Sequence, residues 1–384
     1  MEPSICQSSY YSLSTYIMLA AQIVRIITAS LSCLASSTIL ICILKSPARG
    51  LCSPYSRIIF GLSAADIIQS VGIIASPFTA PSNTPNAPWA VGNTGTCDAT
   101  GFILNLGGTV VPFYTLFLSY YFLRRVKCKM TPHEFAHKYE KLIHIIIWIF
   151  PIIAGAVGVA RGDFNPARAG SLCMFADHPY DCSSDPGTYG NCNRGQDSSF
   201  DALYILVIPF LLTFLVLIVN LMRLTVHVFL EERSLYNNNT AKRRMKKDQQ
   251  PQDHNENEPS SLRKSCWEIF ALLTCSCFLT QSIQEIIDDT ARNAESQEVD
   301  APLDTSHQSL AMQSLVQSSL YIFAFIFSYS IIVINFVMAA VGYQCPNEIF
   351  WWIASIFWPL GGLFNIFIYS SQNIGHKKKR AWSF

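Results

Sequence analysis

Seven stretches of this sequence are long and apolar enough to cross a bilayer: roughly 16–44, 58–78, 99–123, 142–160, 202–222, 315–342 and 349–371. A hydrocarbon core takes ~20 residues of helix. Inside it each backbone N–H and C=O must find a partner within the protein, which for isolated apolar spans means a helix. The fold class expected is therefore all-α, an integral-membrane bundle of seven transmembrane helices. Composition agrees, because only 14% of the 384 residues are charged, against about 25% in soluble domains. The bilayer is the first partner implied, and no nucleic acid is expected; the net charge of +1 says little, because what matters is where the charges sit.

Orientation follows the lysines and arginines of the short loops. The segment before Tyr16, the loop 79–98 and the loop 343–348 contain none. Lys45, Arg49, Arg57, Arg124, Arg125, Lys127, Lys129, Lys138, Lys141 and the tail Lys377 to Arg380 all fall on the opposite side. The N-terminus is expected outside and the C-terminus in the cytoplasm. The chain then divides into an extracellular segment 1–15, helices one to five over 16–230, a long third cytoplasmic loop 231–312, helices six and seven over 313–371, and a basic tail 372–384. The first span has no basic leader and exceeds the apolar core of a signal peptide, so it reads as a retained helix. Arg25 within it is expected to extend its guanidinium toward the headgroups.

Residues 266–287 form an eighth apolar segment, open to three readings: a peripheral helix, a further span or a gene-model artefact. A further span would carry the lysine-rich tail outside, against the charge rule. Ile269, Leu272, Leu279, Ile283 and Ile286 fall on one helical stripe, and the basic run Lys242 to Lys247 precedes them. That pattern suits an amphipathic helix lying on an anionic leaflet.

Of the 13 cysteines, Cys6, Cys97, Cys173, Cys182, Cys192 and Cys345 lie on the outer side, where disulfides persist. Asp66 is the one acid in mid-span. At that depth a carboxylate costs ~2.5–3.5 kcal/mol on insertion scales, so it needs a proton or a partner. Asn365 and Tyr369, one turn apart in the last span, are the candidates. Pro77, Pro112, Pro151, Pro209 and Pro359 can kink their helices, and Gly107-Gly108 and Gly361-Gly362 allow close helix approach. Asn105, Tyr204, Asn335 and Trp352 stand in the outer halves of four helices as candidates for lining a ligand pocket.

These features together resemble the rhodopsin-like G-protein-coupled receptors. Leu62-Ser63-Ala64-Ala65-Asp66 is similar to their second-helix acidic motif, and Cys97 with Cys173 matches their disulfide between the third helix and the second outer loop. Pro359-Leu360-Gly361-Gly362-Leu363-Phe364-Asn365, continuing to Tyr369, resembles the last-helix motif in its cyclic-AMP-receptor-like form. The resemblance implies a Cys97–Cys173 bond pinning the loop across the bundle mouth, which leaves Cys182 and Cys192 to close a smaller loop. It also implies an intramembrane switch built from Asp66, Asn365, Tyr369 and Pro359. Arg124, Arg125 and Lys127 would face a heterotrimeric G protein at the inner end of the third helix. There the chain departs from the family, reading Ser119-Tyr120-Tyr121-Phe122-Leu123-Arg124-Arg125 with no acidic neighbour. In the family the Asp66 cluster can hold sodium, but Val111 and Gly361 stand where further ligands would be, so no metal is expected.

The function this implies is a plasma-membrane receptor for an unidentified extracellular ligand, with no enzymatic activity and no cofactor. Retinal is excluded because no lysine occurs between Lys264 and Lys377 to form a Schiff base. The alternative is a small-solute transporter or channel. Transporters tend to show internal repeats or charges along a path; no repeat is evident, and only Arg25 and Asp66 are charged within the spans. An embedded enzyme finds no support, since His144 stands alone in its span and Cys275-x-Cys277 has no nearby histidine.

Overall fold

The computed structural model describes residues 15–46, 50–82, 84, 87–167, 172–179, 182, 191–248, 304–340 and 348–370. Among the described residues, each of the seven expected spans lies in a helix: α1 (Thr15–Leu44), α2 (Pro54–Thr79), α3 (Thr94–Lys127), α4 (Pro132–Arg161), α5 (Ser198–Ala202, a π turn Leu203–Val207, then Ile208–Asp248), α6 (Asp304–Ala340) and α7 (Glu348–Phe357, continuing to Ser370). The peripheral-helix segment 266–287, residues 1–14, the tail 372–384 and the side chains of Asn335 and Trp352 lie outside the described residues. The ends of the expected 231–312 loop are helical, since α5 runs on to Asp248 and α6 begins at Asp304.

Local chemistry sets the helix ends. Ser53 accepts the Ser56 N–H with Pro54 at the first helical position of α2. Asn93 and Thr96 form a reciprocal capping box at the start of α3, as Thr131 and Glu134 do at the start of α4. Gly162, at φ 70°, ends α4 in the left-handed conformation that glycine adopts without penalty. In α7 a 3₁₀ turn over Trp358–Leu360 puts Pro359 in its first turn, where the missing N–H is harmless.

Two compact units are present, Met1–Leu224 with Val316–Phe384, and Thr225–Leu315. In the second, His227 and Glu231 face each other one turn apart on α5, 3.8 Å between charged atoms. In the first, α2 packs against α3 and α1, and α3 against α4. The α2–α3 approach is close because Gly107 leaves room for the backbone of Gln69; any Cβ there would collide with it.

Burial is arranged as a bilayer requires. Leu142, Ile145, Ile146 and Ile149 on α4 and Leu211, Leu212 and Leu215 on α5 are exposed, whereas Gln22, Arg25, Ser32 and Ser36 on α1 are buried. Arg25 therefore turns inward, contrary to the expected extension toward headgroups: its Nη2 donates to Ser355 Oγ at 3.2 Å. A buried hydroxyl partner and the neighbouring polar stripe of α1 outweigh the reach to the interface. The single addition to the all-α expectation among the described residues is a short antiparallel hairpin, β1 (Phe164–Pro166) and β2 (Cys173–Phe175), with Phe164 opposite Phe175.

Candidate functional site

At one end of the bundle the hairpin is fastened over the helices. Cys173 is bonded to Cys97 at the start of α3 (S–S 2.05 Å), and Cys182 to Cys192, so both expected disulfides are present. Asp177 lies beside the second pair, but sulfurs already joined offer no thiolate to a metal. The Cys173 N–H donates to Ser76 Oγ of α2 at 3.2 Å, and Arg194 Nη2 meets both oxygens of Asp98 on α3 at 2.6 and 2.7 Å. Asn165 ties the hairpin to itself and to α4, donating to the Gly162 and Ala176 carbonyls, both at 2.8 Å. Leu172, just before β2, is buried against Ala29, Ile73 and Leu104, with Trp358 alongside. The loop thus sends an apolar side chain between α1, α2 and α3.

A charged cluster joins α4 to α5 beside this loop. Arg161 Nε lies 2.8 Å from Asp201 and 4.0 Å from Asp163, and its Nη2 lies 3.1 Å from Asp197. Arg161, Asp163 and Asp197 border a pocket of about 260 Å³ that also takes in Arg194. The Asp163 side chain is buried. Burial first, then its contact with Asp201 and the charge of that neighbour, push the Asp163 carboxyl up to about 7, with Arg161 pulling the other way.

In mid-bundle, Asp66 accepts from Asn365 Nδ2 at 2.7 Å and, at a long 3.5 Å, from Ser36. Tyr369 makes no hydrogen bond to Asp66 among the described residues; it lies near Tyr321, whose hydroxyl is 3.4 Å from that of Tyr55. One turn along α2, Gln69 accepts from the Tyr329 hydroxyl of α6 at 2.8 Å. Gly362 comes against Ser32 of α1, and its N–H donates to that hydroxyl at 2.8 Å. The buried polar side chains of α1, α2, α6 and α7 therefore converge on one layer.

Of the pocket candidates, Asn105 is buried with neither amide atom hydrogen-bonded among the described residues, and it faces Gly155 of α4. Tyr204 is 65% exposed on the π turn of α5 and does not enter the bundle.

At the opposite end, Arg124 Nη2 donates to Tyr139 at 2.9 Å, and its guanidinium lies 5.3 Å and 5.9 Å from the Tyr139 and Tyr120 ring centres. Aromatic side chains hold this arginine. Arg125 lies beside Tyr121, and Lys127 is exposed. The nearby acid, Glu140, instead takes Arg57 of α2 in a two-point bond of 2.5 and 2.7 Å. His144 is not alone, as its sequence surroundings imply. Its Nδ1 is 2.8 Å from the Tyr114 hydroxyl, which accepts from Trp148 Nε1 at 3.0 Å. Trp148 can only donate, so the Tyr114 oxygen is an acceptor there, and the tautomer of His144 sets the direction of its bond to Nδ1.

No family model and no curated protein matches the sequence. Among solved structures the chain is similar to squid rhodopsin, with a TM-score of 0.50 at 14% identity, covering 93% of this chain and 82% of that one. The chain has the rhodopsin-like seven-helix fold. At this identity the likeness concerns backbone arrangement and not residue chemistry.

Glu140, His144 and Gln69 with Tyr329 carry interactions that the sequence patterns assign to no site. Gln69 is within reach of such a reading, three residues from Asp66 and so on the same face of α2. Pairs such as Arg57–Glu140, 83 residues apart, carry no local sequence signal.

Proposed function

We propose that this chain is a plasma-membrane receptor, oriented with its disulfide end outside, that answers an extracellular ligand by engaging a heterotrimeric G protein at its arginine end. The observation that carries the reading is the rhodopsin-like arrangement of seven helices over nearly the whole chain. The disulfide-fastened loop, the converging polar layer and the basic opposite end supply an outer contact surface, a coupling layer and an inner one. Ligand binding would act as a population shift, limited by its differential affinity for two helix arrangements. Asp66, Asn365 and Pro359 are the elements assigned to the switch, with Tyr369 as a group that can join Asp66 in the second arrangement. Arg124, Arg125 and Lys127 are assigned to the partner surface. Asn105 and Trp352 remain assigned to ligand contact, with Asn335.

The test is complex formation between the purified protein and heterotrimeric G proteins, with and without guanine nucleotide. A complex that nucleotide dissolves, and that an Arg124→Ala, Arg125→Ala double variant loses, is the result expected. A correctly folded protein that binds no G protein in any panel member, yet moves solute in reconstituted vesicles, would replace this reading with transport.

A further inference from the structure

A groove of about 410 Å³ opens between α2 and the first turns of α4 at the arginine end, lined by Arg57, His133, His137, Glu140, Lys141 and His144. Its one acid is already answered, because Arg57 holds both Glu140 oxygens at 2.5 and 2.7 Å. Lys141 is exposed and forms no ion pair among the described residues. His133 and His137 are exposed too, and each offers a ring N–H even when uncharged. His144 directs Nδ1 to Tyr114 and leaves Nε2 on the groove side, 3.6 Å from Glu140. The bordering side chains are thus cationic or donor-bearing with no uncompensated acceptor, while the wall they present to the groove is mostly carbon.

The groove continues onto an apolar track. Leu142, Ile145, Ile146 and Ile149 follow it along α4, between 50% and 62% exposed. At spacings of three and four residues they share one face of the helix. A ligand fitting both parts carries negative charge at one end and hydrocarbon at the other. We propose that this groove binds an anionic phospholipid, its phosphate-bearing headgroup against Lys141, His133 and His137 and its acyl chains along the α4 track. Basic pockets between transmembrane helices on the cytoplasmic side are the usual seats for such headgroups. The proposal rests on this end lying at a membrane surface and is independent of ligand sensing or G-protein coupling.

The test uses the full chain in nanodiscs of phosphatidylcholine doped with phosphatidylinositol 4-phosphate, with retained lipid counted by native mass spectrometry after mild extraction. Selective retention of the phosphoinositide over phosphatidylcholine is expected, falling at least about fivefold in a Lys141→Ala, His133→Ala, His137→Ala variant. All three side chains are exposed, so the fold should tolerate the change, and an unaltered melting curve verifies this. Lys45→Ala, at the same end but outside the groove, should leave retention unchanged. Equal loss in Lys45→Ala would show diffuse attraction to a basic surface and overturn the site. Equal retention of phosphatidylcholine would overturn it as well. Soluble inositol phosphate bound as strongly as the lipid would overturn the acyl-chain half of the proposal.

Discussion

Asp163 shows how a single residue can set a pH response. Its carboxyl is raised from the ordinary 3.8 to about 7 by burial and by Asp201. The folded protein therefore keeps a proton on it between those values, where an unfolded chain has lost it. Folding then binds protons in that window, so stability falls as pH climbs from about 4 to 7 and levels off above. The proton belongs to the Asp163–Asp201 pair as a unit. Amide exchange at Ala176, whose N–H bonds the Asp163 carbonyl at 3.0 Å, should quicken across that window by more than its intrinsic dependence on hydroxide. In Asp163→Asn that added dependence should vanish. Asp66 makes a second residue-scale case. Asn365→Ala removes its short bond and leaves the long one to Ser36, which should cost about 1–3 kcal/mol. In a double-mutant cycle on thermal unfolding, Asp66→Asn should absorb much of that loss. The Asp66–Asn365 proximity is readable from sequence, because an acid in mid-span demands a partner and few are available. Asp163 is not, since its neighbours come from the far end of a loop.

Helices here are held to each other by contacts that differ at the two ends. The disulfide end uses covalent bonds, a hairpin and the Arg194–Asp98 and Arg161–Asp201 pairs, and the arginine end uses the Arg57–Glu140 bond between α2 and α4. That bond is asymmetric: the Glu140 side chain is 7% exposed and Arg57 31%. Arg57→Ala leaves a carboxylate buried without its cation, whereas Glu140→Ala leaves a guanidinium that water can reach. Arg57→Ala should therefore be the more damaging change, by about 3 kcal/mol against a smaller loss for Glu140→Ala. Melting temperatures of the two variants in one detergent would check the order, and the reverse order would mean that Arg57 is the group lacking solvent. The helices themselves are legible as elements because apolar runs of bilayer length have few other solutions. Their ends are less so. α3 begins at Thr94 and α4 at Pro132, outside the apolar runs, because capping boxes and a proline at the first turn extend helices into polar sequence. The hairpin leaves no sequence signal, since its three-residue strands carry too little alternation to register.

The whole molecule inverts the soluble pattern, with apolar side chains outward along α4 and α5 and a polar column inward from α1. Hydrogen bonds such as Arg25 to Ser355 and Gln69 to Tyr329 join helices distant in sequence. In a medium without water, such pairs are the alternative to leaving polar groups unsatisfied. That layering is readable from hydropathy, whereas the sidedness of the bundle rests on the distribution of lysine and arginine. Sidedness has a direct chemical test in the free cysteines. Cys52, between α1 and α2, and Cys128, just after α3, are exposed at the arginine end and carry no disulfide. With that end in the cytoplasm, a membrane-impermeant maleimide applied to intact cells should leave both unlabelled, and permeabilisation should expose both. Peptide mapping by mass spectrometry separates them from every other cysteine in the chain. Labelling of Cys128 before permeabilisation would reverse the orientation, putting the arginines outside and the disulfide-fastened loop in a reducing compartment where its bonds would not persist.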